Sequence, residues 1–329
     1  MGAGAMGRNH VRVYRELASA ELVAVADCDA GTAGRIAQLS DCQAYVDHRQ
    51  MLECERPDVV SVAVPTAAHC EVVLDALSAG SNVLVEKPMA LTVEHAEKMV
   101  DAARSAGRLL MVGHVERYNP AIVELRKRLM NGELGRVFQI HARRLSPLPR
   151  RIVDAGVVFD LATHDIDIMW HLIGQPVTRA YAETATTLQH SHEDLLLGIL
   201  HFASGTFGLV EANWLTPTKL RELYVTGEAG MYHTDYLTQD LYFYENGEVT
   251  TTDWNALTVL RGVSEGAMTR FVFPKSEPLA GEITAFLAAV ERGDEHGIVT
   301  GAEGLRVVKL ALALLESSRV RSTVECGSL

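Results

Sequence analysis

At 329 residues the chain is long enough for about two domains and a sizeable core, and its 48% apolar and 22% charged residues are those of an ordinary globular protein. A formal net charge of −12, with no basic tail or basic helix, leaves nucleic acid and anionic membranes as poor partners. No apolar run approaches the ~20 residues of a spanning helix, the first residues lack the basic region and apolar core of a signal peptide, and the five cysteines are scattered, so a reduced, cytoplasmic protein is expected.

Gly2-Ala3-Gly4-Ala5-Met6-Gly7 is a G-x-G-x-x-G loop. In such a loop the first glycine permits a tight turn, the second lets backbone approach a pyrophosphate, and the third lets the next helix pack close to the sheet. A dinucleotide bound there lies along Gly2, Gly4, Ala5, Met6 and Gly7. A helical segment follows, with Val11, Tyr14 and Leu17 on one face, and then a strand, Glu21 to Ala26. That strand ends at Asp27, twenty residues past Gly7, where an acidic side chain accepts the ribose hydroxyls of NAD. Cys28 and Asp29 follow where a basic residue would suit the 2′-phosphate of NADP, so NAD is the expected cofactor. Only Met1 precedes the loop, whereas a dinucleotide fold places its first, central strand there. Loss of that strand would expose two strand edges. A true start upstream of Met1 is therefore expected.

Asp58 to Val64 reads as a strand closed by Pro65-Thr66, and His69 to Ala79 as a helix stopped by Gly80. Asn82 to Val85 is a further strand, ending in Glu86-Lys87-Pro88. Ligands of open α/β sheets sit outside the carboxyl ends of the strands, so Lys87 lies where a strand tip offers an ammonium to a ligand. A solvated Glu-Lys pair is the plainer alternative. Thr92 caps a helix to about Ala106, and Leu109 to Val112 gives another strand. This alternation predicts a parallel, doubly wound dinucleotide-binding (Rossmann) domain, residues 1–116, lacking its first strand.

Residues 117–329 follow a different pattern. Asn119-Pro120 opens a helix stopped by Gly132, and five strands are expected: Val137–Arg143, Arg179–Thr187, Leu195–Phe202, Thr206–Trp214 and Leu220–Thr226. Ala203-Ser204-Gly205 and Asn246-Gly247 look like hairpin turns, residues 254–270 carry little pattern, and helices are expected near 279–292 and 301–318. The fold class is thus α/β, with a C-terminal α+β domain built on a mostly antiparallel sheet.

Two local anomalies stand out. If residues 156–174 are helical, Asp160, His164, Asp167 and His171 share one face of an otherwise apolar helix. A hydrogen-bonded polar seam, a metal site and an acid/base site all fit that pattern, although no known metal spacing is met. The run Arg143 to Arg151 carries four arginines around two prolines. It suits a phosphate group gripped by guanidinium forks, or equally a solvated basic loop or subunit contact.

The glycine loop, Pro65-Thr66 with His69, Glu86-Lys87-Pro88, and Asp160 four residues before His164 together resemble the Gfo/Idh/MocA oxidoreductases. Gly113-His114-Val115-Glu116-Arg117-Tyr118-Asn119-Pro120, the segment Arg144–Arg151 and Asn213-Trp214-Leu215-Thr216-Pro217 are similar to the UDP-N-acetylglucosamine 3-dehydrogenase branch. The resemblance implies Lys87, His164 and Asp160 as catalytic groups, with His164 taking a hydroxyl proton and Asp160 orienting its ring. It implies cofactor contacts from Pro65, Thr66, His69, Glu86, Lys87 and Pro88, and a cis peptide at Lys87-Pro88. It further implies sugar contacts from His114, Arg117 and Tyr118, a diphosphate grip by Arg144 and Arg151, no metal, and a homodimer or homotetramer formed through the C-terminal sheet. The expected reaction is NAD-dependent oxidation of a sugar ring hydroxyl, C3 of UDP-N-acetylglucosamine. The alternatives are a cyclitol or free-sugar dehydrogenase, or a non-catalytic dinucleotide-binding sensor.

Overall fold

The computed structural model describes residues 1–149, 155–188, 191–247 and 265–327. The chain divides into two units, one of Met1–Tyr118, Arg151–Asp167 and Glu277–Leu312, the other of Asn119–Arg150, Ile168–Ser276 and Ala313–Leu329. Where a single cut after residue 116 was expected, this division runs to Tyr118 and two later segments return to the first unit. Burial supplies the reason. The helix Pro278–Arg292 places Leu279, Ile283, Phe286 and Leu287 in the same apolar core as Val13, Tyr14, Leu84 and Met111. A sequence reading that splits the chain at a change of pattern cannot see that distant closure.

In the first unit α1 (Ala5–Glu16), β1 (Ala24–Ala26), α2 (Ala30–Ser40), β2 (Gln43–Tyr45), α3 (His48–Glu55), β3 (Val59–Val62), α4 (Thr66–Ser78), β4 (Asn82–Glu86), α5 (Val93–Ala106) and β5 (Leu110–Gly113) alternate. The Asp29 and Asp47 carboxylates accept main-chain N–H groups at the starts of α2 and α3, the capping that short polar side chains provide. All the strand pairs are parallel, as expected, but they form two pieces, β1–β2 and β3–β4–β5. Met1 and Gly2 bridge the pieces at their tips: Gly2 N–H donates to the Ala26 carbonyl (2.8 Å), and Ala63 N–H donates to the Met1 carbonyl (2.9 Å). Behind that bridge the facing edges of β1 and β3 line a cavity of ≈ 590 Å³. β4 is buried at every position, and its carboxyl end leads directly into Lys87.

The second unit contains α6 (Pro120–Met130) and β6 (Val137–Pro147), followed after α7 (Thr163–Ile173) by β7 (Val177–Ala185), β8 (Leu195–Phe202), β9 (Phe207–Asn213), β10 (Leu215–Gly227), β11 (Gly230–Asp235), β12 (Asp240–Asn246) and β13 (Glu265–Phe271). α8 (Pro278–Arg292), α9 (Gly301–Val320) and β14 (Val324–Glu325) complete the described elements. Among the described residues the sheet has nine strands, in the order β13-β12-β11-β10-β6-β9-β8-β7-β14. β6 and β9 run parallel, and the other pairs are antiparallel. Residues 265–270, expected to carry little pattern, lie in β13 because β12 supplies its pairing partner. Residues 248–264, including most of that patternless stretch, lie outside the described residues. Ala203-Ser204-Gly205 does form the β8–β9 hairpin, with Gly205 at φ +84°. Along β8, Leu196, Leu200 and Phe202 point inward while Leu197 and Ile199 point outward, the period-two burial that the strand reading requires. All five cysteines are free thiols, and no described helix is long and apolar enough to cross a membrane.

Candidate active site

The glycine loop has the shape its residues predict. Gly2 lies at φ +80°, and a Cβ there would sit 2.6 Å from the Ala63 carbonyl oxygen. A Cβ on Gly7 would fall 1.8 Å from the Gly2 oxygen, so no other residue closes this turn. At Gly4, by contrast, a Cβ would meet nothing within 4 Å and would project into open space. Gly4 caps α1 without a side-chain bond, which leaves the first-turn N–H groups of Ala5, Met6 and Gly7 as a positive helix end. That open space beside unsatisfied N–H donors is what a pyrophosphate fills.

Next to it Asp27 is held in place from both sides. One carboxylate oxygen accepts the Ala3 N–H (2.7 Å) and the other the Asp29 N–H (2.9 Å). Asp27, Cys28, Gly4, His48 and Pro65 line a cavity of ≈ 580 Å³ that has no lysine or arginine among its lining residues. Ribose hydroxyls suit this carboxylate, whereas a 2′-phosphate would meet its charge. The donor set therefore fits NAD.

His69, expected at the cofactor, is a buried brace. Its Nδ1 lies 3.1 Å from the Pro88 carbonyl and its Nε2 3.0 Å from the Val64 carbonyl, so the ring ties the loop after β3 to the loop after β4. Burial lowers its pKa from the ordinary histidine value. Glu86 is also turned inward, with its carboxylate on the buried ring of His10 at 2.8 Å. Thr66, with Pro65 as the cap, opens α4.

At the tip of β4 the Lys87-Pro88 peptide is cis, as the resemblance implied. The Lys87 ammonium donates to the main-chain carbonyl of Asp160 at 2.7 Å and to its Oδ1 at 3.2 Å. Helical spacing gave no hint of this pairing. Asp160 lies in a π-helical turn, Val158–Ala162, so α-helical periodicity does not run from Asp160 into α7. The expected common face is accordingly divided: Asp160 meets Lys87, and Asp167 meets Arg117. His164, half-buried, stands in the first turn of α7.

Arg117 departs from its expected role as a sugar contact. Nε and Nη2 form a fork on the two Asp167 oxygens (2.8 and 2.5 Å), and Nη1 reaches Glu303 (2.8 Å). Glu303 in turn accepts the Thr300 N–H while Thr300 accepts the Glu303 N–H, a reciprocal cap at the start of α9. Tyr118, another expected sugar contact, donates its hydroxyl to the Gly297 carbonyl, and burial raises its pKa. His114, the third expected sugar contact, is placed differently. It is 2% exposed, its Nδ1 has no hydrogen-bond partner among the described residues, and burial pushes its pKa below the ordinary value. Asp167 opposes that shift, while Arg117 and Lys87 reinforce it.

In the second unit Arg144, expected to grip a diphosphate, is 1% exposed, and its guanidinium lies 5.2 Å from the Tyr236 ring centre. Its neighbour Arg143 pairs with Glu211 and Glu222. Arg151 lies outside the described residues.

Residues missed by sequence reasoning are His10, Ser61 and Glu282. His10 had a signal, since it lies three residues past the glycine loop. Glu282 had none: it occupies an apolar stripe of α8, is fully buried, and neither carboxyl oxygen has a hydrogen-bond partner among the described residues.

Comparison with known proteins identifies the family of both halves of the chain. Residues 1–114 match the oxidoreductase family, NAD-binding Rossmann fold, and residues 122–233 match the GFO/IDH/MocA C-terminal domain. The UDP-N-acetylglucosamine 3-dehydrogenase of Acidithiobacillus ferrooxidans is 29% identical over 95% of this chain and 94% of its own. Its solved structure superposes with a TM-score of 0.83, covering 97% of this chain and 96% of that one at 26% identity. Inositol 2-dehydrogenase 4 of Saccharopolyspora erythraea is 32% identical over 64% of each chain. With both family domains matched in order, the chain belongs to the Gfo/Idh/MocA oxidoreductases, a family of sugar and cyclitol dehydrogenases.

Proposed function

We propose that this protein oxidises a sugar ring hydroxyl with NAD as hydride acceptor, and that its substrate is UDP-N-acetylglucosamine, attacked at C3. The observation that carries the reading is the Lys87–Asp160 pair at the tip of β4, on the same carboxyl edge of the strands as the glycine loop and Asp27. Bound NAD supplies the hydride chemistry at C4 of its nicotinamide. The chain's own groups bind the carbinol and handle its proton. Lys87 donates a hydrogen bond to the reacting oxygen and stabilises its developing negative charge. Asp160 holds the ammonium in place, and His164 takes the hydroxyl proton. His114, neutral and with a free Nδ1, is the polar group left for a sugar hydroxyl.

Similarity over nearly the whole length to a UDP-N-acetylglucosamine 3-dehydrogenase supports the nucleotide sugar. The burial of Arg144 favours a second reading, a cyclitol or free sugar, because it removes the exposed guanidinium a diphosphate would need. A non-catalytic sensor has no use for the lysine pair. Self-association through the outward face of the nine-stranded sheet belongs to the same proposal. Leu197, Ile199 and Phe207 are exposed on β8 and β9.

The test is NADH formation from NAD with UDP-N-acetylglucosamine, free N-acetylglucosamine and myo-inositol in parallel. Turnover confined to the nucleotide sugar is the expected result. Turnover with the cyclitol alone would keep the chemistry and replace the substrate, and silence on all three with NAD bound would favour the sensor.

A further inference from the structure

A line of buried and half-buried polar groups ties the helix of the glycine loop to the tip of β4. Tyr14 and His10 project from α1, and Ser61 comes from β3. The Tyr14 hydroxyl lies 2.9 Å from Ser61 Oγ, and Ser61 Oγ lies 3.2 Å from His10 Nδ1. His10 Nε2 is 2.8 Å from Glu86 Oε1. The other carboxylate oxygen of Glu86 accepts the main-chain N–H of Lys87 at 3.2 Å. A carboxylate only accepts, so Nε2 carries the proton toward Glu86. Nδ1 then accepts from Ser61, and Ser61 accepts from Tyr14. Each bond in the chain thus has one donor and one acceptor.

Burial makes this line rigid. His10 is 3% exposed and Glu86 9%. Gly113, on the neighbouring strand, leaves room for the carboxylate, since a Cβ there would already be 3.3 Å from Glu86 Oε2. We propose that His10 is a positioning residue for Lys87: through Glu86 it fixes the backbone from which the ammonium reaches Asp160, and it couples that lysine to the helix that receives the dinucleotide. The inference rests on the reading of Lys87 as the group that touches substrate. His10 acts here through its bond to Glu86. A small displacement of a reacting group costs catalysis far more than it costs binding, so its loss should appear in turnover rather than in cofactor affinity.

The test compares the full-length wild type with His10→Ala and His10→Gln, each loaded with NAD. The first readout is acylation of the Lys87 amine by a small N-hydroxysuccinimide ester, followed at that residue by mass spectrometry. The second is kcat set against the KM for NAD. His10→Ala should speed labelling of Lys87 severalfold and lower kcat by roughly 10- to 100-fold, with the KM for NAD changed by less than about threefold. His10→Gln, whose side-chain amide can still donate to Glu86, should restore most of both. Should His10→Ala fail to fold, Glu86→Gln replaces it and should move both readouts in the same direction. Labelling unchanged from wild type in the alanine variant, or a glutamine variant no better than alanine, would overturn the proposal. If the wild type turns over none of the sugars, the labelling arm still decides the positioning role, so the two readings fail separately.

Discussion

Two cation–aspartate pairs in the first unit are built on aspartates only seven residues apart, Asp160 and Asp167, and they are opposite in kind. Lys87–Asp160 is a partly open contact. The two side chains are 15% and 35% exposed, and a single Oδ1 contact at 3.2 Å is supplemented by a main-chain carbonyl. Arg117–Asp167 is closed. Those side chains are 7% and 1% exposed, both carboxylate oxygens are used, and Glu303 takes a third guanidinium nitrogen. A group that must exchange its partner for a ligand has to be reachable and incompletely satisfied, whereas one that holds two chain segments together has to be neither. The π-helical turn that carries Asp160 lets one short stretch serve both purposes, since it turns Asp160 out of the register that Asp167 keeps with α7.

Breaking the closed pair should have the largest effect. Arg117→Ala leaves the Asp167 charge buried without its forked partner, which costs about 3–5 kcal/mol of stability. Urea unfolding should show the loss as a lower midpoint at unchanged slope. A cost below about 1 kcal/mol would mean that the pair is solvated after all. Breaking the open pair should do the reverse. Lys87→Ala should slow sugar oxidation by ~10²–10⁴-fold while the unfolding midpoint stays near the wild-type value, because the Asp160 carboxylate left behind is 35% exposed and remains solvated. Comparable losses of activity and stability in that variant would erase the distinction between the pairs.

The comparison also explains which parts of the molecule were legible in the sequence. The glycine loop, Asp27 and the Lys87 strand tip rest on local chemistry, where a turn needs glycine or a strand must end, and the structure has a tight turn at Gly2 and strands that end just before Asp27 and Lys87. The role of Arg117 depends on Glu303, 186 residues away, and that of Asp160 depends on a π turn that helical periodicity cannot register. The arginine run misled for a related reason: charge in a sequence suggests exposure, yet Arg144 is buried over an aromatic ring and Arg143 is neutralised by two glutamates on neighbouring strands. β11, β12 and β13 went largely unread because a strand of a wide sheet is specified by its pairing partner as much as by its own pattern.

The smallest expected effect concerns a carboxyl that belongs to neither pair. Glu282 is fully buried on α8, and burial first, then the charges of Glu86 and Asp167, raises its pKa well above the ordinary carboxyl value. Tyr14 and Tyr118 are the other titratable groups nearby, and both are themselves raised by burial, Tyr14 to about 12. Glu282 is therefore a neutral acid in the fold. Below about pH 4 the folded and unfolded chains both hold its proton, and the group contributes nothing to pH dependence. As the pH rises past that point, the unfolded chain releases the proton while the folded chain retains it, so the unfolded state gains. Wild-type stability should then fall relative to Glu282→Gln by up to ~1.4 kcal/mol per pH unit until the folded carboxyl itself ionises. Any pH-independent cost of burying the amide shifts the whole curve without changing its slope, and the buried histidines His69 and His114 are common to both proteins and cancel. Urea midpoints for the two proteins at pH 5, 6 and 7 measure that slope directly. Parallel curves would mean that Glu282 is ionised inside the fold.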